Sequence, residues 1–412
     1  MIALAALLVA VPAALAFYAY VVYPVALRLM GSGQRGRVTA MDGAYWPSIS
    51  IVVVAHNVEH MIRDTVERLL AVDYPADRRQ ILIVSDASTD STDRIVGEFA
   101  SSGVELHRVD RRAGKTAAEN SIIDKLSGDI VVNADASVLV ASESIKSLVR
   151  HFADPTVGVV SGRAIGVRRA GDRVAGDAAY YSYEMWVRSL EMDFGTVIGA
   201  TGALYAVRRE LFAVPLAAHA TRDFASPLLA RERGFRSVID ETASCFVLQT
   251  PSLEREYYRK MRTMVRGLDT LYEFRHLMDP RRQGAFALML ASHKLCRWLV
   301  YLLAPLAAFG LVVLALESWP ARAVTALVVV IGVCGLVAAY WPSGQRVPRV
   351  LAACGYALVG GAAGAAAWGR FFRGEHLAVW EPTRRDSVAG DDGSQLAAHR
   401  RPAVLDANPS GP

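Results

Sequence analysis

Two carboxylates and an ammonium group, Asp86, Lys115 and Asp135, stand where they could share one site. Asp86 closes the apolar run "RQILIVSDAS" and Asp135 lies at the polar end of the strand in "GDIVVNADASVLV". Carboxylates at the ends of two different buried strands can converge on one crevice, where a lysine would offset pyrophosphate charge as a flexible point cation. Helix capping is the competing role for each aspartate alone, most of all for Asp86 before "ASTDST". His56 and Asn57 close an earlier run, "SISIVVVAHN", and fall at the same edge. His56 reads as a strand-end polar residue near that crevice, with metal ligation as the rival reading. Asp223 in "TRDF" reads by pattern as the N-cap of a helix over "FASPLLARERG", and a carboxylate there could also serve as a general base. Neither a Walker A loop nor GxGxxG occurs, which disfavours a P-loop or dinucleotide site.

The elements that must position these groups alternate. Apolar strands interleave with helical segments such as "MIRDTVERLLAV", "STDRIVGEFA" and "KTAAENSIIDKL". Such alternation implies an α/β domain built on a mostly parallel sheet covered on both faces, here over residues 46–280. Ligands of such sheets bind outside the carboxyl ends of the strands. Farther on, Glu184 and Glu191 stand about two turns apart on an aromatic-rich helix, which reads as an amphipathic core helix. Arg255, Arg259, Arg262 and Arg266 share one face of a basic helix. His219, in "PLAAHAT", reads as a solvated loop histidine.

The 412 residues are 53% apolar with mean hydropathy +0.25, which points to membrane segments. Residues 1–27 contain no charge and can span a bilayer as an uncleaved anchor. Arg28, Arg35 and Arg37 follow it and predict that the next domain lies in the cytoplasm, in a multi-pass protein of the cell membrane. Residues 284–297 are expected to be an interfacial amphipathic helix, with His293 and Lys294 as interfacial anchors. Residues 298–369 are expected to form about three membrane segments, with Gly360, Gly361 and Gly364 packing closely on a neighbour. Residues 385–412 have a disordered composition. The net charge of +5 is concentrated in a belt leading into the apolar spans, so membrane lipids rather than nucleic acid are its expected partners. A transporter is disfavoured because the spans hold almost no charge.

In order, "VVVAHNVEHMIRDTVERLLAVDYP", "ILIVSDASTDSTDRIV", "GKTAAEN", "GDIVVNADAS", "GVVSGRAIG", "GATGALYAVRREL" and "TRDFASPLLARERGFRSVIDETA" resemble the membrane-bound family 2 glycosyltransferases. The resemblance implies a GT-A fold and an inverting transfer from a nucleotide-sugar, often a UDP-sugar, to a lipid-linked or polysaccharide acceptor. It implies that Ala55, His56, Asn57, Asp86, Lys115 and Asp135 bind the nucleotide-sugar and that Asp223 is the base. Gly202 would stand in the acceptor wall, while Arg262 and Arg266 would clamp phosphate. A divalent Mg or Mn ion would approach Asp135, with Ser137 as a weak neutral ligand.

Several positions depart from that pattern. Val58 stands where a glutamate is usual, Ser137 replaces a second metal aspartate, and Arg222 replaces an acid before the base. The Gln and Trp of the processive signature are missing, which favours transfer of one or a few sugars. Val58, Ser137 and Arg222 together leave an alternative: a catalytically inactive, nucleotide-binding scaffold of a polysaccharide synthesis complex.

Overall fold

The computed structural model describes residues 1–31, 46–167, 177–248, 252–342, 345 and 347–379, with side chains left aside at 167, 177–181 and 248. The expected disordered tail lies outside these residues.

The strand expectation holds at the heart of the domain. The segment "ISIVVVA" forms β1 (Ile49–Ala55), buried along its whole length. It is apolar almost throughout because both faces of a parallel strand are covered. Parallel to it lie β2 (Arg79–Ser85) on one side and β4 (Ile130–Asp135) on the other, with β3 (Val104–Arg108) beyond β2. The order β3-β2-β1-β4 makes the chain reverse its direction of growth around β1, so a crevice opens at the carboxyl ends of β1 and β4. Val54 pairs with Asp135 there. At the opposite end, Gly128 has no alternative, because a Cβ would run into the Ile49–Ser50 backbone.

The second half of the sheet differs from the expected parallel pattern. It contains β5 (Val138–Val140), β6 (Val157–Val167), β7 (Leu204–Arg208) and β8 (Arg236–Leu248). Strand β7 runs antiparallel to both β4 and β6, and β5 runs antiparallel to β8. No helix crosses between β4 and β5. Only Ala136 and Ser137 separate them, too short a link for a parallel crossover.

Among the described residues, four helical stretches are long and apolar enough to cross a membrane: Ile2–Met30, Ala285–Glu317, Trp319–Ala339 and Arg349–Phe372. The 284–297 segment is not a separate helix. Helix Ala285–Leu290 passes through a π-helical stretch, Ala291–Cys296, straight into helix Arg297–Glu317. Phe286, Met289 and Leu290 share a buried apolar cluster with Phe224, Leu228 and Leu271, which ties the span Ala285–Glu317 to the α/β domain. Of the three glycines expected to pack closely, Gly364 does so against the Tyr301 ring, whereas Gly360 and Gly361 face open space.

Candidate active site

A cavity of ≈ 530 Å³ opens at the β1–β4 crevice and continues to the apolar helices. His56, Lys115, Asp135, Ser137, Gly202, Asp223, Arg262 and Arg266 line it. Residues separated by up to 210 positions in the chain are thus gathered around one space. Ala55, Asn57 and Asp86 are not in its lining.

Asp86 is fully buried, and its two carboxylate oxygens accept from the backbone N–H groups of Ala113 (2.9 Å) and Gly114 (3.0 Å). It therefore holds the loop that leads to Lys115, rather than capping a helix. His56 lies with Nδ1 2.7 Å from the Asp86 carbonyl, and Asn57 accepts from the Thr89 N–H at 2.8 Å. Asn57 adopts φ 50, a left-handed conformation that asparagine tolerates better than most residues. These contacts make the β1 and β2 ends one rigid ledge.

Lys115 opens helix Lys115–Asn120 and donates from Nζ to Asp135 Oδ1 at 2.6 Å. Burial works to lower its pKa, but Asp135 and Glu119, with help from Asp223, outweigh burial and raise it above the usual lysine range. The lysine therefore stays charged. Asp135 keeps a 42% exposed side chain, so it remains available to a ligand.

Asp223 lies in the first turn of helix Arg222–Glu232, whose N-cap is Thr221. The capping role read from the pattern is thus not where the structure puts this residue. Its carboxylate sits against Gly202, where a Cβ would come within 2.8 Å of Oδ2. The backbone fixes it further, since Ala200 N–H donates to the Asp223 carbonyl at 3.2 Å. A half-buried carboxylate facing a glycine wall can accept a proton from a hydroxyl brought along that wall.

Arg222 also borders the cavity, but its guanidinium is bound within the protein. It is 2% exposed and pairs with the fully buried Glu119 at 3.3 Å. It donates to the Phe212 carbonyl (2.8 Å) and Asn120 Oδ1 (2.6 Å), and its guanidinium lies 4.2 Å from the Phe212 ring centroid. The charge that Arg222 brings beside Asp223 is therefore matched by a buried acid. Arg266 is 8% exposed and donates to Thr116 Oγ1 (2.8 Å) and the Ala220 carbonyl (2.7 Å), tying the segment before Asp223 to the Lys115 helix. Burial, its largest influence, leaves its pKa below the ordinary arginine value, although Asp223 and Glu119 oppose this.

Two histidine readings need correction. His219 is not a lone solvated residue: its Nε2 lies 2.9 Å from Glu273 Oε1, and its ring stacks on His376 at 4.4 Å. His293 is 2% exposed and bridges Glu191 (2.5 Å) and Glu184 (2.9 Å) rather than anchoring at an interface. The partners stand on helix Asp177–Met192, over 100 residues away, so local sequence could not supply them. Burial would raise the Glu184 carboxyl, yet His293 and Arg188 hold it well below the usual range. Sequence reasoning also missed Glu119 and Lys294 as cavity residues. The i,i+4 spacing of Lys115 and Glu119 was the available signal for the first.

The fold is that of the GT-A glycosyltransferases. The chain is similar to the mannosyltransferase PcManGT from Pyrobaculum calidifontis, solved in complex with GDP-Man and Mn2+. The TM-score is 0.69, with 22% identity, over 90% of this chain and 98% of that one. Residues 50–213 match the family model "Glycosyl transferase family 2". A beta-monoglucosyldiacylglycerol synthase of Synechocystis sp. is 36% identical over 129 residues, which is 30% of this chain and 26% of that protein. The poly-beta-1,6-N-acetyl-D-glucosamine synthase of Staphylococcus epidermidis is 27% identical over 116 residues, 28% of each chain. The matched stretches thus span about a quarter of these relatives' length.

Proposed function

We propose that this chain is a multi-pass membrane enzyme that transfers a sugar, with inversion, from a nucleotide-sugar to an acceptor hydroxyl in glycolipid or cell-surface polysaccharide synthesis. The observation that carries this reading is the single cavity joining Lys115 and Asp135 to Asp223 and then to the apolar helices. A UDP-sugar is the first donor to test. The acceptor is lipid-linked, because the far end of the cavity is lined by Trp298, Tyr301 and Gly364. The catalytic domain faces the cytoplasm, where nucleotide-sugars are made and where the basic belt is expected.

In this mechanism the ledge formed by His56, Asn57 and Asp86 seats the nucleoside. Lys115 and Arg262 offset the diphosphate charge. Asp223 takes the proton as the acceptor oxygen bonds to the anomeric carbon. The bond from that carbon to the diphosphate breaks on the opposite face, so one displacement inverts the configuration.

Among the described residues, no cluster of three or more His, Cys, Asp or Glu side chains is set to hold a metal. Asp135 and Ser137 together fit a divalent ion whose remaining oxygens come with the donor, as Mg is commonly held by one or two carboxylates plus substrate phosphates. When bound, Mg or Mn would neutralise charge on the leaving diphosphate.

The test uses purified full-length protein in detergent, Mg or Mn, and a panel of UDP-, GDP- and TDP-sugars. One donor should be turned over, and Asp223→Asn should slow it by about 10²–10⁴-fold while nucleotide binding persists. Unchanged turnover in Asp223→Asn would remove the base assignment. Donor binding without turnover would leave the chain a scaffold.

A further inference from the structure

The polar cluster beside the membrane carries more positive charge than its own carboxylates balance. Glu184 accepts from Arg297 Nη1 at 2.9 Å and from Arg188 Nε at 3.2 Å. Glu191 accepts from the Tyr23 hydroxyl at 2.8 Å. Arg188 and Arg297 already offset the two glutamates, and His293 bridges both carboxylates. Lys294 adds one more positive charge. Among the described residues its ammonium makes no hydrogen bond or ion pair, and it lies 5.3 Å from the Phe224 ring centroid.

Lys294 lines the same cavity as Asp223. Its Nζ faces Gly199, 3.8 Å from where a Cβ would be, and the Asp223 carboxylate faces Gly202 in the same loop. Gly199 and Gly202 are three Cα steps apart, at most about 11 Å. Beyond Lys294 the lining passes to Trp298 and Tyr301 of an apolar helix. An unbalanced ammonium is costly to hold in such a setting unless an anion joins it.

We propose that this anion is the phosphate of the acceptor, which makes the acceptor a phosphate-bearing lipid with a hydroxylated headgroup. This rests on the transferase reading above. The phosphate sits at Lys294, the headgroup hydroxyl reaches Asp223, and the acyl chains leave past Trp298 and Tyr301. The hydroxyl proton goes to Asp223, and its oxygen bonds to the anomeric carbon. The bond from that carbon to the diphosphate breaks, with the electron pair leaving on the nucleoside diphosphate. A neutral diacylglycerol would leave Lys294 without its counter-ion. A polyprenyl monophosphate would attack through the anion itself and give Asp223 no proton to take.

The first measurement needs no donor. Full-length protein in neutral detergent is titrated with fluorescent phosphatidylglycerol. Saturable binding should weaken about tenfold or more in Lys294→Gln and persist in Lys294→Arg, as loss of a charge-assisted contact requires. Equal binding by wild type and Lys294→Gln overturns the assignment. With a donor in hand, phosphatidylglycerol or phosphatidylinositol should accept sugar. The KM for lipid should rise about tenfold in Lys294→Gln while the donor KM moves less than about twofold. Faster transfer to diacylglycerol or polyprenyl phosphate overturns the proposal, as does a rise in the donor KM alone. Failure of every donor sinks the transferase reading but leaves the lipid-binding result to stand or fall by itself.

Discussion

Replacing Arg222 with methionine tests whether the residue before the base is structural. Its side chain is 1% exposed and that of Glu119 is 0% exposed. Methionine fills much of the volume but removes the counter-charge, the bonds to the Phe212 carbonyl and Asn120 Oδ1, and the stacking on Phe212. Breaking one side of a buried pair costs about 3–5 kcal/mol, because the remaining charge is left without compensation. For a domain of this size that is a fall in Tm on the order of 10 °C. Glu119→Gln in the same chain should recover more than half of the loss. Its amide oxygen can still accept from Asn133 Nδ2, the 2.7 Å partner of Glu119, without carrying the charge. The assay is thermal unfolding of the detergent-solubilised wild type, both single variants and the double variant, read as a cycle. A Tm within about 2 °C of wild type for Arg222→Met, or a double variant no better than Arg222→Met alone, would refute the reasoning.

Three further outcomes follow from the geometry. Gly202→Ala should lower turnover by about 100-fold with little change in Tm, since its Cβ would press within 2.8 Å of Asp223 Oδ2 and displace the base; steady-state kinetics beside a melting curve decides it. Ser137→Asp should reduce the Mg or Mn concentration needed for half-maximal donor binding, and equal metal titrations for variant and wild type would argue against Asp135 as the metal-side carboxylate. Burial would raise the Asp240 carboxyl, but hydrogen bonds with His151 and Thr242 outweigh it and hold the pKa below the usual range. A depressed carboxyl stabilises the fold above its unfolded pKa of about 3.9 and loses that contribution as pH falls through the folded value. The Tm gap between wild type and Asp240→Asn should therefore be widest near neutral pH and narrow below about pH 4.

The segments legible in the sequence were those whose signal is local. The run "ISIVVVA" announced a strand buried on both faces, and the uncharged stretches announced helices fit for a membrane. Asp135 at a strand end was readable for the same reason, because a carboxylate ending an apolar run marks where the chain leaves the core. The antiparallel placement of β7 was not readable, since strand direction depends on which neighbour supplies the hydrogen bonds. That Asp86 holds the loop leading to Lys115 was not readable, because its partners Ala113 and Gly114 lie 27 and 28 residues away.

By itself, then, the sequence determined the alternating α/β order, the apolar spans and the chemical types available at the strand ends. The tertiary structure decided which charges meet. It turned Arg222 inward to Glu119, locked His293 between Glu184 and Glu191, and left Lys294 facing the cavity with no ion pair among the described residues. The physical reason is distance: hydrophobic periodicity is written over a few residues. The balance of buried charge, by contrast, is set by groups a hundred positions apart that only folding brings within hydrogen-bond reach.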